Sequence, residues 1–275
     1  MPLAYYSRAA SQDFWDEHWA GHEVSALVDI ARRSPLTSII EAALPPAGRI
    51  LEAGCGLGPY VVLLRQRGRA IAGADWSLDA LSRCRAAAPG TPLAAMDLRA
   101  LAIQSAALDA CLSLGVVEHD AGGPDAIVAE AARVLRPGGR LLLSVPYVNG
   151  MRRLLAPHLV RQARRMRATG AAFYQYAFSR REIRRFLEAN GFRVVSFHPY
   201  DPLRLPRQAL RRLIGGARRS PARAASPSPA RHVSSSAAAS GGRELALRRA
   251  IRRVAYSGLS LRIFAHMILA VAVRR

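Results

Sequence analysis

Between residues 49 and 146, short apolar runs alternate with longer stretches in which apolar residues recur every three or four positions. The short runs predict strands at Ile50–Glu52, Ala70–Asp75, Pro92–Met96, Asp109–Leu114 and Arg140–Val145. The periodic stretches predict helices at Pro59–Arg67, Leu78–Ala87 and Asp125–Leu135. Strands that alternate with helices in this way build βαβ units around a parallel sheet, so the fold class is α/β and doubly wound. Pro137-Gly138-Gly139 reads as a tight turn between the last helix and the next strand.

The flanks differ from this centre. Residues 1–44 read as helical and are rich in aromatics: Tyr5, Tyr6, Phe14, Trp15 and Trp19. They form either a lid over a site or a helix docked on the sheet through Trp15 and Trp19. A basic helical stretch covers about 150–168. In Ser179-x-x-Glu182 the spacing is that of a capping box, with Ile183, Phe186 and Leu187 on one helical face and Asn190-Gly191 as the stop. Phe192–Phe197 and His266–Val273 read as strands that can pair. Between them, Gly215–Gly242 is rich in Ser, Ala, Pro, Gly and Arg, and is expected to be disordered because it lacks apolar surface to bury. Glu244–Tyr256 places Leu247, Ile251 and Val254 opposite four arginines, the pattern of a basic amphipathic helix. The expected organisation is an N-terminal helical lid at 1–44, a central domain at 45–200, a basic insert at 201–260 and a closing strand at 261–275.

Charge sharpens this division. The chain of 275 residues carries a net charge of +21, and all 40 of its basic residues are arginine. Residues 1–150 hold 13 Arg against 15 carboxylates, whereas 151–275 hold 27 against 4. The excess therefore belongs to the second half. Three cysteines without a CxxC spacing argue against a disulfide framework or a zinc site, and no metal is expected. The longest apolar run, Ile263–Val273, falls well short of the roughly 20 residues of a spanning helix. A cytoplasmic location follows, with peripheral membrane contact as an extension.

Candidate chemistry sits at the carboxyl ends of the predicted strands, where open α/β sheets bind ligands. Leu51-Glu52-Ala53-Gly54-Cys55-Gly56-Leu57-Gly58 follows the first strand, and its alternate glycines permit a sharp turn and close approach to a ligand. Asp75 ends the second strand, where a carboxylate can accept both hydroxyls of a ribose. Asp97 and Leu98 follow the third, where a carboxylate and an amide can meet an adenine edge. Each acid alone also suits a helix cap or a solvated loop, and Cys55 reads as a small residue within the glycine loop.

Taken together, these residues resemble the class I S-adenosylmethionine-dependent methyltransferases. The resemblance rests on Ile50–Gly58, Asp75, Asp97, the segment Leu108–His119 and the segment Arg133–Leu141. It implies a mostly parallel, seven-stranded Rossmann-like sheet whose last two strands are antiparallel, with S-adenosylmethionine as cofactor. The implied cofactor-binding set is Glu52, Gly54, Gly56, Gly58, Asp75, Trp76, Asp97, Leu98 and Ser113. A dinucleotide-binding dehydrogenase is the main competitor, but it requires G-x-G-x-x-G, and here Gly58 is followed by Pro59.

His119, just after the fourth strand, is the candidate general base, since an imidazole titrates near working pH. Packing against the cofactor or capping a loop is its alternative role. His18, His22, Tyr174 and Tyr176 are secondary candidates. The expected acceptor is a small or lipid-linked molecule, methylated at oxygen, with a non-catalytic scaffold or a nucleic-acid methyltransferase as alternatives. For the Arg-rich half, three readings stand: a solvated face with a linker, an anionic membrane surface bound through the insert, or phosphate binding. Nucleic acid ranks last because residues 201–255 lack aromatics for base stacking. The sequence leaves the oligomeric state open.

Overall fold

The computed structural model describes residues 2–202 and 254–275, and these form a seven-stranded sheet with helices on both faces plus a separate two-stranded sheet. In chain order the first elements are β1 (Leu3–Ser7), α1 (Gln12–Ala20), α2 (Val24–Arg33), α3 (Pro35–Ala43), β2 (Ile50–Ala53), α4 (Pro59–Gln66), β3 (Ile71–Asp75), α5 (Leu78–Ala87), β4 (Leu93–Ala95) and β5 (Leu108–Leu114). A 3-10 turn at Val117–His119 precedes α6 (Asp125–Val134) and β6 (Leu135–Pro146). Then come α7 (Gly150–Leu154), α8 (Ala156–Ala168), β7 (Ala172–Ala177), α9 (Arg180–Ala189), β8 (Phe192–Tyr200), α10 (Gly258–Phe264) and β9 (Met267–Arg274).

The large sheet runs β4-β3-β2-β5-β6-β9-β8. All pairings up to β6 are parallel, and β9 lies antiparallel to both β6 and β8. This is the mostly parallel sheet with an antiparallel final pair that the family resemblance implies. Its middle strands are apolar on both faces, with Ala110, Cys111, Leu112 and Leu142 fully buried, because helices cover both sides. Ser179 and Glu182 make both bonds of the capping box that starts α9, and Ile183 and Leu187 on its inner face are wholly buried.

Three details depart from the sequence reading. Residues 1–44 are not helical throughout, since β1 pairs antiparallel with β7 across a bulge at Tyr5/Tyr6. Both strands are aromatic, and aromatic side chains favour a pleated, half-buried surface. Pro137-Gly138-Gly139 is not a turn ahead of the strand but an excursion inside β6. Leu135 bridges Leu108 and Arg140 bridges Ala110, so four residues loop out opposite one. The 261–275 segment begins as helix α10 and becomes strand only at Met267. Gly215–Gly242 and nearly all of Glu244–Tyr256 lie outside the described residues.

Candidate active site

Strand order reverses between β2 and β5, and the loops leaving β2, β3, β4 and β5 converge there on a cleft of about 500 Å³. Glu52, Gly54, Asp75, Trp76, Asp97, Leu98 and His119 all line it. The sheet topology thus gathers residues spread over 67 positions, as expected at a switch point between parallel strands.

Two buried carboxylates form the floor. Asp75 at the tip of β3 accepts hydrogen bonds from the Gly56 amide (2.7 Å) and the Ser77 amide (3.0 Å). Burial raises its pKa, and those amides oppose the shift. Glu52 accepts from the Val61 amide at 3.0 Å, and burial pushes it up to about 8, with the Asp75 charge adding to the shift. Both acids therefore favour a cationic neighbour, which would offset the cost of their charge. Asp97 differs: it is half exposed and held below the usual carboxylate range by a two-pronged pairing with Arg99 (2.8 and 3.0 Å).

The glycine loop is shaped by protein neighbours. Gly54 and Gly56 take φ of 79° and 53°, where a side chain is strained. A Cβ on Gly54 would fall 2.4 Å from Val116, and one on Gly56 would fall 2.6 Å from the Trp19 ring. Gly54 lines the cleft, whereas Gly56 and Gly58 are not among its lining residues. Gly58 instead caps α4, with Cys84 against it. Ser113 is also absent from the cleft. Its buried hydroxyl lines a small neighbouring cavity beside Cys111, Leu141 and Leu143.

Helix α1 closes the cleft from above. Trp15 and Trp19 line it and are half-buried, whereas Phe14 is the buried anchor. Its ties run to the β3–α5 region. Asp16 accepts from the Ser77 hydroxyl, Gln12 donates to the Trp76 carbonyl and Arg83 donates to the Trp19 carbonyl.

His119 stands beneath this roof. Its Nδ1 lies 2.8 Å from the Tyr174 carbonyl on β7. A carbonyl only accepts, so Nδ1 carries the proton and Nε2 keeps its lone pair in the neutral ring. Burial pushes His119 down to about 4, and His18, which stacks on His22 at 5.2 Å, is also pushed down to about 4. Trp15 meets the His119 ring edge-on at 4.9 Å and Tyr174 at 5.1 Å. Glu118 is 2% exposed, and its Oε2 has no hydrogen-bond partner. Burial pushes it up to about 8, and its Oε1 is 4.0 Å from His119 Nε2. Neutral Glu118 therefore leaves His119 neutral as well. The Tyr174 and Tyr176 hydroxyls are not among the groups lining the cleft. Sequence reasoning missed Tyr60, Arg99 and Asp120 in the lining and the burial of Glu118. Arg99, two residues past Asp97, and Glu118, inside the fourth-strand segment, were the available signals. Among the described residues no cluster of His, Cys, Asp and Glu suits a metal ion.

Residues 51–143 match the family model of a methyltransferase domain. A tRNA (carboxymethyluridine(34)-5-O)-methyltransferase of Mus musculus is 31% identical over 46% of this chain and 19% of its own length. A probable S-adenosylmethionine-dependent methyltransferase of Mycolicibacterium smegmatis is 36% identical over 36% of this chain and 39% of its own. The chain thus spans only 19% and 39% of these curated relatives. Among solved structures, the geranyl diphosphate C-methyltransferase of Streptomyces coelicolor aligns with a TM-score of 0.58 at 16% identity, covering 96% of this chain and 97% of that one. A putative methyltransferase of Haloferax volcanii, solved with its Trm112 activator, aligns at 0.55 with 17% identity over 94% and 97%. These last two carry the fold alone. With the glycine segment, the strand-end acids and the sheet order in place, residues 51–143 form a methyltransferase domain of the class I S-adenosylmethionine-dependent kind, whose cofactor is S-adenosylmethionine.

Proposed function

We propose that the protein transfers a methyl group from S-adenosylmethionine to an oxygen of a small or lipid-linked acceptor. The observation that carries this reading is the neutral imidazole of His119, locked by the Tyr174 carbonyl with its Nε2 lone pair free, in the same cleft as Glu52 and Asp75. The fit to the cofactor rests on those acids: two buried carboxylates with raised pKa values sit where a cation would offset their charge. Asp75 would hold the ribose, Asp97 and Leu98 the adenine edge, and Glu52 with Gly54 the cationic end. Gly56, Gly58 and Trp76 shape the loops around them, and Ser113 acts through the packing beneath.

When bound, S-adenosylmethionine supplies a methyl on an already activated sulfonium. The chain's task is then alignment, worth on the order of 7–11 kcal/mol when two reactants are held in reacting geometry. Trp15 and Trp19 exclude water from above, which makes residues 1–44 a lid tied to α5. His119 Nε2 takes the proton of the acceptor hydroxyl, a step worth roughly 10²–10⁴-fold. Burial keeps that nitrogen unprotonated through neutral pH. A relative of Serratia marcescens, 33% identical over 36% of this chain, is named as a malonyl-[acyl-carrier protein] O-methyltransferase, which supports an oxygen acceptor.

The test is turnover of methyl-labelled donor in an extract separated into lipid, small-molecule and nucleic-acid fractions. Label in either of the first two, in a base-labile ester or a stable ether, is the expected result. Label in nucleic acid would replace the acceptor class, and donor binding without turnover would leave a scaffold.

A further inference from the structure

Helix α8 is an amphipathic helix that buries nothing completely. Its inner stripe, Ala156, Leu159 and Ala163, is only half covered where the helix packs against β1. Apolar side chains that a soluble surface would normally withdraw stand out beside it. Leu154 at the end of α7 is 76% exposed and Leu155 in the connection is 44% exposed. Val160 and Met166 on α8 are exposed as well. The adjoining helix α10 packs against α7 and carries Leu259, 70% exposed. Four large apolar residues within 13 positions on one helical segment exceed the scattered apolar positions of an ordinary surface.

The charge of this segment has one sign. Between Gly150 and Ala171 there are six arginines and no carboxylate. Arg152 is buried, donating to the Tyr147 and His266 carbonyls, whereas Arg153, Arg161, Arg164, Arg165 and Arg167 are exposed. On α8 the arginines follow one another around the side opposite Leu159, so a polar cationic face borders an apolar one. The arginine-bearing side of α8 is exposed, and its inner stripe is half covered by β1.

From this arrangement we propose that α7 and α8 form a docking face for an anionic phospholipid surface. A helix with an Arg-lined face and a half-bare apolar face lies in the plane of a bilayer interface. Leu154 and Leu155, at the start of that helix, enter the acyl boundary while the guanidinium groups of α8 meet lipid phosphates. A second copy of the chain is a poor occupant, since five exposed arginines would face their own kind. Nucleic acid would meet the charge but not the apolar groups, and the segment from Val148 to Ala172 has no Phe, Tyr or Trp on which a base could stack. Helices α7 and α8 precede the basic insert at 201–260 in the chain, and the proposal is independent of the methyl-transfer reading. The surface is mechanically close to the cleft: α8 rests on β1, β1 pairs with β7, and β7 supplies the carbonyl that holds His119.

Flotation of the full chain with vesicles of phosphatidylcholine, with and without phosphatidylserine, tests the proposal. Wild type is expected to float with the anionic vesicles and to be released by salt. The pair Leu154→Asp with Leu155→Asp, and separately the triple Arg161→Glu, Arg164→Glu and Arg165→Glu, are each expected to lower the bound fraction by about tenfold or more. Donor affinity and thermal midpoint should stay unchanged, because every substituted side chain is exposed. Unchanged flotation of both variants would overturn the proposal, as would absence of wild type from the anionic vesicles. So would loss of tRNA retention in the variants with vesicle binding intact. Should a variant fold poorly, Leu155→Cys carrying an environment-sensitive dye supplies a second reading, since Cys55, Cys84 and Cys111 are all buried. A blue shift on anionic vesicles supports the face, and its absence refutes it.

Discussion

Replacing Glu118 by Gln should change the stability of the protein at pH 8 and hardly at all at pH 5. In the fold this carboxyl is 2% exposed, one of its oxygens has no partner, and its pKa stands at about 8 instead of 4.5. Between those two values the folded chain holds a proton that the unfolded chain has released, so stability falls as pH rises from 4.5 to 8. The full displacement corresponds to about 5 kcal/mol at 1.36 kcal/mol per unit. Allowing half for relaxation and water entry at a buried site leaves about 2 kcal/mol. A glutamine cannot ionise, so it escapes this loss while keeping the size of the protonated acid. Thermal unfolding of both proteins at pH 5 and pH 8 measures the difference. The variant should melt within about 2 °C of wild type at pH 5 and roughly 4–8 °C above it at pH 8. Glu52, with a similarly raised pKa, is present in both proteins and cancels in the comparison. Parallel melting curves at the two pH values would refute the reasoning, because Glu118 would then be ionised in the fold. Methyl transfer at pH 7 should change by no more than a few-fold, since neutral Glu118 leaves the His119 ring uncharged.

Further outcomes follow from the same groups. Donor binding should strengthen with pH up to about 8 and then level off, because a cation beside Glu52 favours its ionised form and the free chain holds it protonated below about 8. Calorimetry in two buffers of different ionisation enthalpy should show proton release of up to one, lost in Glu52→Gln. His119→Asn should lower methyl transfer by roughly 10²–10⁴-fold and leave donor affinity within a few-fold. A loss below about fivefold would reduce His119 to packing.

The strand-end residues were legible because a parallel sheet ties sequence to place. Once a run such as Leu108–Leu114 is a strand, whatever follows it must emerge at the carboxyl edge, and Asp75, Asp97 and His119 did. Ser113 was misplaced by the pleat. Neighbouring residues of a strand point to opposite faces, so Leu114 enters the cleft while Ser113 joins Cys111 beneath α6. Pairing of β1 with β7 joins residues about 170 positions apart, and no local pattern announces that partnership. Gly56 met the same limit. Its glycine is required by the ring of Trp19, which only the folded chain brings near. The perturbation of Glu118 and His119 is likewise a product of burial, which a motif names without measuring.

Titration calorimetry of S-adenosylmethionine into wild type and Asp75→Ala tests the cofactor site most directly. Asp75 sits at the tip of β3 with both oxygens turned toward the glycine loop and the start of α5. Its loss should remove at least one charge-assisted hydrogen bond to the ligand, about 1.5–3 kcal/mol, and weaken binding roughly 10- to 150-fold, while circular dichroism shows the variant still folded at the assay temperature. Equal affinity of the folded variant and wild type, or no binding by wild type, would contradict the account.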